Sequence, residues 1–115
     1  MATHLDHRSA DRERIASAKA INQLVADNPG RPAMPAGDLN AVPGSDIQRQ
    51  FETTWTCANE KELSTFTVTE PSRQIDYILY PPAGRWRAIE VRVLDEAVAS
   101  DHRAIFAVLE LLGPR

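Results

Sequence analysis

Four short segments set acids, amides and histidines beside apolar runs. They are Thr3-His4-Leu5-Asp6-His7, Gly37-Asp38-Leu39-Asn40, Gln74-Ile75-Asp76-Tyr77-Ile78 and Ser100-Asp101-His102. Carboxylates suit hard divalent cations, and imidazoles and amides can donate to an oxygen on which negative charge develops. Asp76 lies inside an apolar stretch and by alternation shares a face with Ile78, so burial is expected there. A buried carboxylate is costly unless it is paired. Backbone groups or an arginine would satisfy it, and so would a histidine that it orients. Taken singly, the other segments also have a plain structural reading. Asp38 and Asn40 follow a glycine, as turn formers do, and Asp101-His102 follows the small-residue loop 97–100 and could be a turn or cap.

These groups need elements to hold them. Residues 2–6 could be the end of a strand. Residues 9–27 read as a helix, with Ser9 as N-cap, Asp11 and Glu13 in the first turn, and Ile15, Ala18, Ile21 and Val25 at helical spacing. Asn28-Pro29-Gly30 stops it. Residues 32–39 look like a short strand, although Pro35 would remove a ladder bond from a central one. Ser45 caps a short helix to about Phe51. Residues 54–72 are irregular, with an extended piece over 64–69. Residues 74–80 form a strand, 81–84 a turn, and 86–94 a half-buried strand with Ile89, Val91 and Val93 on one side and Glu90 and Arg92 on the other. Residues 103–112 read as a last strand, or as a helix. Arg8, Arg12 and Arg14 read as a solvated helix face. Arg73 either shapes the site or pairs with an acid.

The chain has 115 residues, enough for one domain, and is 43% hydrophobic, so it carries a core. A net charge of −3 argues against holding nucleic acid by bulk electrostatics. The single cysteine, Cys57, cannot form an internal disulfide and is given no role. No apolar run is long enough to span a membrane, and no signal peptide is visible at the start, so localisation is left open.

In order and rough spacing, the four segments together resemble the endonuclease/exonuclease/phosphatase family, the fold group of pancreatic DNase. Thr3-His4-Leu5 is similar to the family's T-H-L strand end, and Gly37-Asp38-Leu39-Asn40 to its G-D-F/L-N. Residues 73–78 are similar to its R-x-I-D-Y-I/V, and residues 100–104 to its S-D-H-x-P/A. A rival, the H-x-H-x-D-H metal motif of the metallo-β-lactamase group, needs a histidine two residues before His4; Ala2 stands there.

The resemblance implies an α/β fold, the C-terminal half of a DNase I-like four-layer sandwich, mainly one mixed or antiparallel sheet with flanking helices. It implies a phosphoester hydrolase using Mg²⁺, with Mn²⁺ as a substitute. Asp38 would orient and deprotonate the attacking water, while Asn40 would hold Asp38 and donate to the phosphate. Asp101 would bind the metal with Asp38 and Asn40. His102 would donate to a non-bridging oxygen with Asp76 fixing its tautomer, and His4 would be a second donor near the leaving group. Asp6 and His7 match subfamily variants; Asp6 can also cap the helix or bind nearby backbone.

Family members are about twice this long, and their first half supplies an early Asn and a Glu that is a principal metal ligand. Residues 1–115 are therefore expected to be a partial domain with impaired activity. Substrates in the family include nucleic acid, phospholipid head groups and small phosphodiesters. The alternative is a non-catalytic half-domain that associates with itself or a partner through an uncovered sheet face.

Overall fold

The computed structural model describes residues 1–7, 11–81 and 85–113. The expected Ser9 cap, Arg8 and the centre of the 81–84 turn lie outside the described residues. Eight elements follow in chain order: β1 (Ala2–His4), α1 (Asp11–Ala26), β2 (Ala36–Asp38), α2 (Asp46–Glu52), β3 (Thr56–Cys57), β4 (Asp76–Tyr80), β5 (Trp86–Val93) and β6 (Ile105–Leu111). Strands β1, β2, β4 and β3 form a mixed sheet in that order, with β1 and β2 parallel and the other pairs antiparallel. Strands β5 and β6 form a separate antiparallel hairpin.

The core lies between one face of the sheet and the two helices. Leu5, Leu39, Tyr77 and Leu79 from the sheet side pack in one buried cluster with Ala18 of α1 and Ile47 and Phe51 of α2. Ser45 caps α2 as expected, its side chain accepting from the Gln48 N–H. Trp55 donates its indole N–H to Asn22 Oδ1 at 2.9 Å, and Asn22 donates to the Gln50 carbonyl at 2.9 Å, which ties α1 to the end of α2. Pro35 sits just before β2 rather than within it. No ladder bond is lost, and its carbonyl accepts from the Leu79 N–H at 2.9 Å.

The stretch between β3 and β4 is fastened by polar groups rather than regular pairing. Gln74, fully buried, accepts from Asn59 Nδ2 and the Leu63 N–H, and donates to Asn59 Oδ1 and the Asp76 carbonyl. Both ends of its buried amide are thereby met. The extended piece expected over 64–69 reduces to a single bridge between Phe66 and Arg73.

Three expectations need correction. The buried positions of β4 are Tyr77 and Leu79; Asp76 and Ile78 share the opposite face and are only half-buried. In β5 the register shifts between Ala88 and Glu90, so Ile89 is the extra residue of a β-bulge. It leaves the side of Val91 and Val93 and is 55% exposed, while Trp86 and Ala88 join that side. Arg14 is buried, not on a solvated face. Among the described residues, no helix is long and apolar enough to cross a membrane.

Candidate active site

The sheet register aligns the site. His4 lies opposite Asp38, and Asp38 opposite Asp76, across β1, β2 and β4. Directly opposed residues on neighbouring strands point to the same face. The three side chains therefore stand in a row on the face away from the helices. His4 Nε2 is 3.4 Å from Asp38 Oδ2.

His102 reaches this row from the loop between β5 and β6. Its Nδ1 lies 2.8 Å from Asp76 Oδ2, and its Nε2 lies 3.7 Å from Asp38 Oδ2. A carboxylate partner requires Nδ1 to carry a hydrogen, which turns Nε2 toward Asp38. The loop is pinned on either side of the ring. The His102 N–H donates to Ser100 Oγ at 3.1 Å, the Arg103 N–H donates to the Thr65 carbonyl at 2.8 Å, and Arg103 Nε donates to the Val68 carbonyl at 2.9 Å. The Phe66 ring packs against His102 at 4.9 Å between centroids.

Asp38 and Asn40 share a tight turn. The Asn40 N–H donates to Asp38 Oδ1 at 2.8 Å, and Asn40 Nδ2 donates to the Leu5 carbonyl at 2.6 Å. Asn40 has φ 46°, a left-handed conformation that asparagine tolerates better than most residues. The turn-forming reading of this segment holds, and the turn is what sets Asp38 in the row. The Asp38 carboxyl is pushed above its ordinary value chiefly by burial; the Asn40 hydrogen bond opposes this and the neighbouring Asp76 charge adds to it.

For His102 burial is the largest single influence and lowers the pKa. The Asp76 hydrogen bond, with the charges of Asp76, Asp38 and Asp101, outweighs it, and the net shift is upward. A raised folded-state pKa means that the folded chain binds this proton more tightly than the unfolded one. The stabilisation is fully present below the unfolded value of about 6.5 and is lost as pH rises through the folded value. Histidine NMR titration of metal-free protein is expected to place His102 above its ordinary value, and Asp76→Asn is expected to lower it. An unchanged midpoint in Asp76→Asn would mean that Asp76 does not hold the ring.

Asp101 stands apart from the row. Its side chain is 81% exposed and its nearest site contact is His102 Nε2 at 3.9 Å. Among the described residues, the acids and histidines with ligand atoms mutually within 4.8 Å are Asp38, Asp76 and His102. Two adjacent carboxylates, one of them partly desolvated, fit a hard divalent cation.

Arg14 is the residue the sequence reading missed. Its guanidinium donates to the Asn40 carbonyl and pairs with Asp11. It therefore braces the turn that carries Asp38. The available signal was its spacing: position 14 precedes Ala18 by four and Ile21 by seven, on the core-facing stripe of α1. Arg73, for its part, lies over the Phe66 ring at 4.9 Å rather than against an acid.

No curated protein sequence matches the chain. Solved structures match over nearly its whole length. An endonuclease/exonuclease/phosphatase from Bacteroides vulgatus is 27% identical with a TM-score of 0.80, over 96% of this chain and 49% of that one. A family protein from Bacteroides thetaiotaomicron is 19% identical with a TM-score of 0.81, over 98% and 49%. A mannosyl-6-phosphatase from the same organism is 19% identical with a TM-score of 0.79, over 94% and 49%. At 19% identity the last two speak for the fold alone. The chain spans about half the length of the structures it matches. Residues 1–102 match the Endonuclease/Exonuclease/phosphatase family, and the chain belongs to that family.

Proposed function

We propose that this chain carries the water-activating and charge-stabilising part of a divalent-metal-dependent phosphoester hydrolase. One observation carries the reading. Asp38 Oδ2 is flanked by two imidazole nitrogens, His4 Nε2 at 3.4 Å and His102 Nε2 at 3.7 Å, and the other nitrogen of His102 is held by Asp76. A base between two hydrogen-bond donors is what in-line attack of water on a phosphoester requires.

In this reading Asp38 takes the proton from the attacking water. Burial strengthens it as a base, and the Asn40 N–H fixes its orientation. His102, anchored by Asp76, donates from Nε2 to a non-bridging phosphate oxygen. Its raised pKa favours the imidazolium, in which both nitrogens carry hydrogen. His4, exposed at the end of the row, donates near the leaving group. The residues of this chain that would hold the metal are Asp38, with Asp76 beside it, Asp101 at the rim and the Asn40 side-chain oxygen. A bound Mg²⁺ or Mn²⁺ supplies a Lewis acid for the phosphoryl oxygens.

The test is localisation of Mn²⁺ by paramagnetic broadening in NMR spectra of the isotopically labelled chain. Broadening is expected to centre on Asp38, Asp76 and His102 and to be reversed by EDTA. Broadening centred on a remote acidic surface, with this row untouched, would sink the reading.

A further inference from the structure

A second cleft, of about 330 Å³, opens at the N-terminal ends of α1 and α2 and reaches Asn40, two residues beyond Asp38. Its polar wall is His7, Asp11, Arg14, Asn40, Ser45 and Arg73, and Ile75 is part of its apolar lining. The charges in it do not balance. Asp11 is committed to Arg14. Arg73 is exposed and lies over the Phe66 ring, and among the described residues its guanidinium has no carboxylate partner. Arg14, nine-tenths buried, keeps one guanidinium nitrogen, Nε, with no hydrogen-bond partner among the described residues. In a chain of net charge −3 this is a local excess of cation beside a site made for a phosphoester.

A planar guanidinium held on an aromatic ring is prepared for bidentate contact with paired anionic oxygens. Arg73, which lines the cleft, and His102, which reaches the row, pack on the same Phe66 ring, each at 4.9 Å from its centroid. We propose that this cleft is a subsite for a second anionic group of the substrate, a phosphate or carboxylate a few bonds from the phosphoester that faces Asp38, with Arg73 setting specificity. The substrate is then a small phosphorylated compound bearing another anion. A polyanion is disfavoured, because the chain as a whole is acidic and such ligands are held by many cations.

The proposal rests on the phosphoester reading, and the experiment separates the two. Propyl phosphate, propane-1,3-diol bisphosphate and a 5′-phosphorylated dinucleotide are titrated into the labelled chain at fixed free Mg²⁺, following His102, Asn40 and the Arg73 side-chain N–H. The bisphosphate is expected to bind about tenfold or more tightly than the monophosphate and to shift Arg73. Arg73→Ala should bring the ratio of the two affinities close to one, and Arg73→Lys should keep part of it. Equal binding of the two by the unmodified chain, or a ratio that survives Arg73→Ala, overturns the subsite alone. Failure of all three ligands to perturb His102 overturns the phosphoester reading and the subsite with it. A dinucleotide that binds more tightly than the bisphosphate overturns the small-molecule class.

Discussion

Replacing Asp38 with asparagine is expected to lower Mn²⁺ affinity at least about tenfold and to cut any Mg²⁺-stimulated hydrolysis of bis-p-nitrophenyl phosphate by about 10²–10⁴-fold. The substitution is nearly isosteric, and Oδ1 can still accept from the Asn40 N–H. What is lost is the charge between His4 and His102 and the capacity to take a proton. The same change should not cost stability. The Asp38 carboxyl has a raised pKa because burial penalises its ionised form, so at neutral pH that charge works against folding. The neutral amide removes the penalty, and the melting temperature is expected to hold or rise while metal binding falls. This divergence distinguishes a functional from a structural carboxylate, since a structural one would lower both. Thermal melts and Mn²⁺ titrations on the same samples read it directly; undiminished Mn²⁺ affinity in Asp38→Asn would remove Asp38 from the metal site.

Much of the site was legible in the sequence because strand positions and motif residues coincide. His4, Asp38 and Asp76 sit in three strands, and once the register is set they must fall in one row. What failed was parity. With Tyr77 and Leu79 on one side of β4 and Ile78 on the other, apolar residues occupy both faces, and alternation no longer reports which face is buried. Tyr77 takes the core position because its hydroxyl finds the Ala41 carbonyl at 2.8 Å, so a polar group that looks unsuited to the interior is satisfied there. Ile89 misled for another reason. A bulge inserts one residue and exchanges the two faces from that point, and composition alone does not announce it. Strand β3 has two residues, too few to show a period. Asp101 and His102 are neighbours in sequence, yet one side chain points outward and the other into the row. The loop between them and β6 is fastened locally at Ser100 and, through the Arg103 N–H, at the Thr65 carbonyl, and this second contact is distant in the chain.

Replacing Gly37 with alanine is expected to prevent folding, or to destabilise the chain by at least about 3 kcal/mol, a large share of a small domain's stability. Gly37 lies opposite Thr3 on β1 and Tyr77 on β4, on the helix-facing side of the sheet. Its φ is +144°, and a Cβ built there would fall 1.9 Å from the Thr3 carbonyl oxygen and 2.9 Å from the Thr3 carbonyl carbon. Both atoms are backbone, so no rotamer change relieves the clash; β1 and β2 would have to separate. Gly44 supplies the control. Its φ is +82° and nothing lies within 4 Å of a Cβ, so Gly44→Ala carries only the cost of a left-handed alanine, about 1–2 kcal/mol. The two variants are compared by urea unfolding, where Gly37→Ala is expected to lose clearly more than Gly44→Ala, and similar losses would mean that the sheet yields at Gly37. The approach also bears on chemistry. His4 and Asp38 are the next pair in the same ladder, 3.4 Å apart at Nε2 and Oδ2, and a sheet spread to admit a methyl group at Gly37 would pull apart the first pair of the row.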